Sequence, residues 1–284
     1  MAHRQAFEAD PRTLLLANPD FRLDAIDPRS TPGFRHGKAA GKAALSAGSG
    51  VLSVLQEKLF AESRQGSEIS LLVILQAMDT AGKGGIVRHV VGAVDPQGVH
   101  HHAFKAPTAA EKRHDFLWRI EKQLPGPGMI GVFDRSHYED VLVHKVRGLS
   151  AMSEIERRYD AISAFEAEAV AAGTRIVKVM LHISKKEQKQ RLAERLDRRD
   201  KFWKYAPQDI EERALWSEYQ AAYETAIERT TTPDAPWYVV PADRKWYARL
   251  AVQQLLIKAL EDMQLSWPPA HFDVKAEKKR LAAS

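Results

Sequence analysis

The sequence predicts an α/β protein with a mostly parallel sheet covered by helices on both faces. Three observations carry this. Apolar runs with the character of buried strands recur at 70–78, 129–133, 175–181 and 237–240. Stretches of helical periodicity separate them, the alternation a parallel sheet requires. The first run also leads at once into a glycine-rich turn, Asp79-Thr-Ala-Gly-Lys-Gly-Gly85, and then into a helical stretch over 86–94. That is the strand, turn and helix setting of a phosphate-cradling loop.

Along the chain, the first 45 residues carry Asp27-Pro28, Thr31-Pro32-Gly33 and a small basic run from Lys38 to Lys42, and read as an irregular arm over the main body. Val51, Leu52, Leu55, Leu59 and Phe60 recur at helical spacing and predict an amphipathic helix over 51–61. Ser70–Met78 is too short for a typical helix and β-branched at its centre, as expected of a buried parallel strand. Residues 99–104 add a further strand, 152–172 a helix, and 185–229 a long helical excursion before the last strand. No internal repeat interrupts this order.

With 284 residues, 44% of them apolar and 28% charged, the chain is long enough to bury a sizeable core and is neither fibrous nor wholly disordered. The absence of cysteine excludes disulfides, thiolate nucleophiles and zinc or iron-sulfur ligation by thiolate. No run approaches a membrane span, and Met1–Asp10 lacks the apolar stretch of a secretory signal. The expectation is a soluble, unexported, cytoplasmic protein without membrane partners. Its net charge of +5 is a misleading average. Residues 175–204 hold 11 basic and four acidic side chains, a local balance of +7 that leaves −2 for the rest.

The chemistry concentrates in three places. Gly82, Lys83, Gly84 and Gly85 suit a loop whose backbone N–H groups converge on an anion while a lysine adds a mobile charge. The pattern G-x-x-x-x-G-K-[ST] is departed from twice: Ala77 replaces the first glycine, and Gly84 stands where a metal-binding hydroxyl is usual. Asp79 in the loop and Asp134 at the end of a later strand are the candidate metal carboxylates, since a hard divalent ion accepts carboxylates and phosphate oxygens together; as single residues they read equally as a cap and a turn. Arg191, Arg195 and Arg198 share one helical face, extended by Lys201 and Lys204, a surface fit for a highly charged phosphate substrate or for solvent alone. His100–His102 alternate across a strand and do not form one site. His137 reads as orienting or structural. Trp118, Trp216, Trp237 and Trp246 read as packing residues, whereas Trp203 lies in the basic segment.

Taken together, Leu75–Gly85, Phe104-Lys-Ala-Pro107, His114–Arg119, Phe133-Asp-Arg-Ser-His-Tyr-Glu-Asp140, Lys201-Phe-Trp-Lys204 and Ala235–Asp243 closely resemble the second polyphosphate kinase family. The resemblance runs from about residue 21 to 260 and implies a three-layer α/β/α P-loop kinase fold with a helical lid. It implies an arm at 1–45, a kinase domain at 46–265 with its lid at about 184–230, and a tail at 266–284. It implies reversible phosphoryl transfer from inorganic polyphosphate to ADP and AMP, with magnesium, or manganese in its place, held by Asp79 and Asp134. Asp79, Lys83, Asp134 and Arg135 become the catalytic set. Gly82, Gly84, Gly85, Lys105, Arg191, Arg195, Arg198, Lys201 and Lys204 become phosphate-binding. The expected partners are polyphosphate and purine nucleotides, with no nucleic acid, in a homo-oligomer of two or four chains. Asp134 stands where many members of the AMP/ADP subgroup carry asparagine. An ATP-dependent kinase and a non-catalytic polyanion-binding protein are the competing readings.

Overall fold

A computed structural model of the chain describes residues 7–18 and 20–284. The opening six residues, part of the stretch read as lacking a secretory signal, lie outside the described residues. Five strands, β1 (Ser70–Ala77), β2 (Val99–Ala103), β3 (Ile130–Asp134), β4 (Thr174–His182) and β5 (Trp237–Pro241), form one sheet in the order β2-β3-β1-β4-β5. Every pairing is parallel. All eight residues of β1 are buried, so the central strand is covered on both faces, which explains its unbroken apolar sequence.

The helices are α1 (Pro11–Leu15), α2 (Lys38–Ser63), α3 (Lys83–His89), α4 (Trp118–Glu121), α5 (Glu139–Val146), α6 (Met152–Ala171), α7 (Lys185–Leu196), α8 (Gln208–Ala214), α9 (Trp216–Thr230), α10 (Lys245–Asp262) and α11 (Val274–Ala282). Helix α10 lies on β4 and β5 and is backed by α2, whereas α6 lies on β4 and packs with α5 and α9. No helix among the described residues is long and apolar enough to cross a membrane.

Two boundaries depart from the sequence expectation in ways that bear on the site. Helix α2 begins at Lys38, so the basic run at 38–42 is its first turn rather than part of an irregular arm. The reason is packing by absence: a Cβ on Gly41 would stand 2.3 Å from the Trp246 ring, and one on Gly48 would stand 2.2 Å from Gln253 Oε1. These glycines let α2 and α10 approach closely, and such contacts leave no apolar periodicity. The arm itself is anchored by buried Leu15, Ala17, Leu23 and Phe34, with Leu16 bridging antiparallel to Tyr238. The lid expected over 184–230 divides, because α9 buries Tyr219, Ala222, Tyr223, Ala226, Ile227 and Thr230 and so belongs to the body. Helix α7, a 3₁₀ segment at Arg199–Lys204 and α8 are what stand over the glycine-rich loop.

Candidate active site

The loop after β1 and the residue ending β3 meet because the register pairs Leu75 with Asp134. Arg135, the next residue, donates its backbone N–H to the Leu75 carbonyl at 3.1 Å. Gly82 has φ of 127°, a conformation L side chains rarely adopt, and it caps the start of α3. Thr80 and Arg135 are also left-handed, at φ of 66° and 65°. Both residues line the central cavity of the site, and side chains other than glycine adopt this conformation uncommonly.

Lys83 Nζ donates to the Ala77 carbonyl at 3.2 Å, which folds the lysine back over its own loop. Arg135 Nη2 donates to Asp79 Oδ1 at 3.3 Å and lies 4.0 Å from Glu139 through Nη1; Glu139 and Asp79 hold its guanidinium firmly protonated. The Glu139 carboxyl is pushed above its ordinary value by burial, partly offset by Arg135 and Lys83. Gln76, from buried β1, bridges Ser136 at 3.1 Å and, with its amide nitrogen turned to the carboxylate, Glu139 at 3.0 Å.

These groups line three cavities that run into one another. The central one, about 400 Å³, is walled by Asp79–Gly85, Arg88, Asp134, Arg135, Arg195 and Lys204. On one side it shares Thr80–Gly82, Gly85, Arg195 and Lys204 with a cavity of about 290 Å³, whose other charged walls are Arg191, Arg198, Lys201, Lys245 and Arg249 against Glu194. On the other it shares Asp79 and Arg135 with one of about 330 Å³ that adds Glu139, Asp209, Glu212, Tyr219 and Tyr223. The site is therefore basic at one end and acidic and aromatic at the other. Burial and the neighbouring Asp79 raise the Asp209 carboxyl.

Asp79 and Asp134 share the central cavity, and no group of three or more His, Cys, Asp or Glu placed to hold a metal occurs among the described residues. Two carboxylates without imidazole fit a hard divalent ion that completes its shell with phosphate oxygens and water.

The basic residues divide by what they already hold. Arg191, predicted to bind phosphate, is 4% exposed, and its fork is spent on protein: Nε on Glu187 at 2.8 Å, Nη1 on the Thr80 and Ala81 carbonyls at 3.0 and 2.8 Å, Nη2 on the Ala242 and Asp243 carbonyls at 2.7 and 2.9 Å. It ties α7 to the loop and to the end of β5. Arg195 donates to the Lys204 carbonyl at 2.8 Å and pairs with Asp209 at 3.3 Å. Arg198 and Lys201 both pair with Asp200 on the exposed rim, at 2.8 and 3.3 Å. Lys105 stands apart from the glycine-rich loop, exposed at a smaller cavity it shares with Arg119, Arg135 and Glu139.

His137 is fully buried, its Nε2 3.3 Å from Glu166 Oε1, in a network where Lys178 Nζ reaches Glu166 Oε2 at 2.5 Å and the Thr230 carbonyl at 2.7 Å. This agrees with a structural histidine. Trp237 is core, whereas Trp203 is 77% exposed with Lys204 Nζ 4.8 Å from its ring centre. His101 is more exposed than its half-buried neighbours His100 and His102.

The model of one family, polyphosphate kinase 2, matches residues 36–268. The chain belongs to the polyphosphate kinase 2 family. It is 45% identical, over 87% of its length and 91% of the relative's, to a Meiothermus ruber protein named AMP/ADP-polyphosphate phosphotransferase. It is 44% identical to the ADP-polyphosphate phosphotransferase of Rhodopseudomonas palustris, over 76% and 78% of the two chains. The crystal structure of polyphosphate kinase 2 from Arthrobacter aurescens TC1 superposes with a TM-score of 0.96 at 59% identity, covering 98% of each chain. The P-loop kinase fold of polyphosphate kinase 2 is thus the fold of this chain. Sequence reasoning missed Glu139, Asp209, Tyr223 and Arg249 as cavity residues. Arg249 lies in Trp246-Tyr-Ala-Arg-Leu250, and its one signal is a charge set among the apolar positions of a helix otherwise buried in the core.

Proposed function

We propose that the protein transfers a phosphoryl group from inorganic polyphosphate to ADP, and also to AMP, with a divalent cation. The observation that carries this is the polarity of the joined cavities: the basic end suits a polyanionic chain, and the acidic, aromatic end suits an acceptor that brings a sugar and base. An ATP-donating kinase needs no such length of positive wall, and a simple polyanion binder gains nothing from Asp79 and Asp134 beside its ligand.

In the transfer, an oxygen of the acceptor's terminal phosphate bonds to the terminal phosphorus of the chain. The anhydride bond behind that phosphorus breaks, and its electron pair leaves with the shortened polyphosphate. Acceptor and leaving group are both phosphate oxygens, so positioning and charge compensation matter more than proton abstraction. Lys83 meets the charge on the moving group, and Arg135 orients the acceptor once released from Asp79. Asp79 and Asp134 would hold magnesium, or manganese in its place. Bound there, the cation supplies charge neutralisation across the reacting phosphates.

We further propose a cytoplasmic homo-oligomer; exposed Trp267, Phe272 and Leu281 in the C-terminal segment supply apolar surface for it, and a solution mass of at least twice 31.9 kDa is expected. A matrix of AMP, ADP, GMP and GDP against polyphosphate tests the transfer. ATP from ADP and ADP from AMP support it; no product above a no-enzyme control refutes it.

A further inference from the structure

Four arginines line the basic cavity, and three of them are already engaged. Arg191 spends its donors on Glu187 and four carbonyls, Arg195 on Lys204 and Asp209, and Arg198 on Asp200. Arg249 is the exception: half-buried in the same wall, it makes no hydrogen bond or ion pair among the described residues. Its guanidinium lies against the glycine-rich loop, where a Cβ on Gly85 would stand 3.4 Å from Nη2 and 3.6 Å from Nε. Burial, then the Arg191 and Arg88 charges, disfavour its protonated form. A partly desolvated cation facing other cations is costly unless an anion is to be bound there.

We infer that Arg249, on α10 and outside every glycine-rich or lid motif, is a phosphate-binding residue that grips the donor chain on the far side of the glycine-rich loop from Asp134. The inference rests on the proposed polyphosphate donor and extends its path from the loop along α10. Lys245, one turn earlier on the same helix face, continues the path; it lies 3.7 Å from Glu194, an exposed and weak tether. Gly85 has a role on this view, because a side chain there would crowd the fork. The fork's planar donors are the reason for an arginine in this position.

The test compares wild type, Arg249→Gln and Arg249→Lys by ATP formation from ADP, with long-chain polyphosphate varied, and with tripolyphosphate as competitor. Arg249→Gln is expected to raise the KM for long polyphosphate roughly tenfold or more, the value of one charge-assisted contact. The inhibition constant of tripolyphosphate, which reaches the guanidinium from the glycine-rich loop, is expected to rise as well, whereas the KM for ADP is expected to stay within about twofold. Arg249→Lys keeps the charge and stem but not the fork; it falls between, and serves alone if the Gln variant does not fold. An unchanged KM for long polyphosphate, or a KM for ADP that rises as much as that for polyphosphate, overturns the inference. A wild-type protein that makes no ATP overturns the proposed function instead.

Discussion

Arg191 Nη1 donates to the Ala81 carbonyl at 2.8 Å, across 110 residues of sequence, while Nη2 of the same guanidinium reaches the end of β5. The base of the lid, the glycine-rich loop and the last strand are thus held by one side chain. Ser184 reinforces the joint: it caps α7, and its N–H and hydroxyl both donate to Asp243 at 2.8 Å. Replacing Arg191 with Ala leaves Glu187 and four carbonyls unpaired and is expected to cost about 3 kcal/mol of stability. Urea unfolding reads this. A variant of native stability whose KM for polyphosphate alone rises would make Arg191 a ligand contact and not a clamp.

Lys83 and Asp134 separate catalysis from binding. Lys83→Met is expected to lower kcat by roughly 100-fold or more, the scale of removing one preorganised charge contact. Asp134→Ala is expected to abolish turnover at ordinary magnesium while long polyphosphate still binds, because the basic wall is untouched. Titration calorimetry beside the rate assay distinguishes these, and unchanged turnover in Asp134→Ala would remove that residue from the mechanism.

Glu166 and Lys178 form a buried ion pair beneath the site. Glu166→Gln or Lys178→Met alone strands a charge and is expected to cost about 3 to 5 kcal/mol, whereas the paired change Glu166→Leu with Lys178→Met recovers most of it. Comparing the three unfolding midpoints checks this. A double variant no more stable than the singles would show that Tyr138, His137 and Thr230 need the charges themselves.

Glu139 gives a pH signature. Burial raises its carboxyl above the unfolded value, so the folded protein holds that proton more tightly than the unfolded chain does. Its contribution to stability is fully present below the unfolded value and is lost as pH rises through the raised one. Glu139→Gln is therefore expected to gain stability relative to wild type at neutral pH and to show no gain at pH 4. Melting temperatures across pH 4 to 8 provide the check; a gain independent of pH contradicts the assignment.

Four strands of the sheet were legible because β1, β3, β4 and β5 are largely buried and announce themselves as apolar runs, unlike the edge strand β2; β1 and β4 fall within two residues of their expected ends. The meeting of the glycine-rich loop with Asp134 was legible because both follow the ends of strands in a parallel sheet, and Arg195 and Lys204 of the basic segment line the same cavity. The engagement of Arg191 with Glu187 and four carbonyls was not legible, because it is set by which carbonyls the fold brings to it, whereas the charge alone suggests a ligand. Arg249 and Asp209 were missed because folding brings them to the site from distant helices, and the one local signal, a lone charge among the apolar positions around Arg249, does not say what it faces. The start of α2 escaped because Gly41 and Gly48 signal contact through what they lack.

The most direct test of the central claim is a balance sheet of phosphate by 31P NMR, with the protein, ADP, magnesium and long-chain polyphosphate. One ATP is predicted for every phosphate unit lost from the chain, with no release of free phosphate. Polyphosphate left intact with no ATP formed, or its hydrolysis to free phosphate without ATP, would contradict the account.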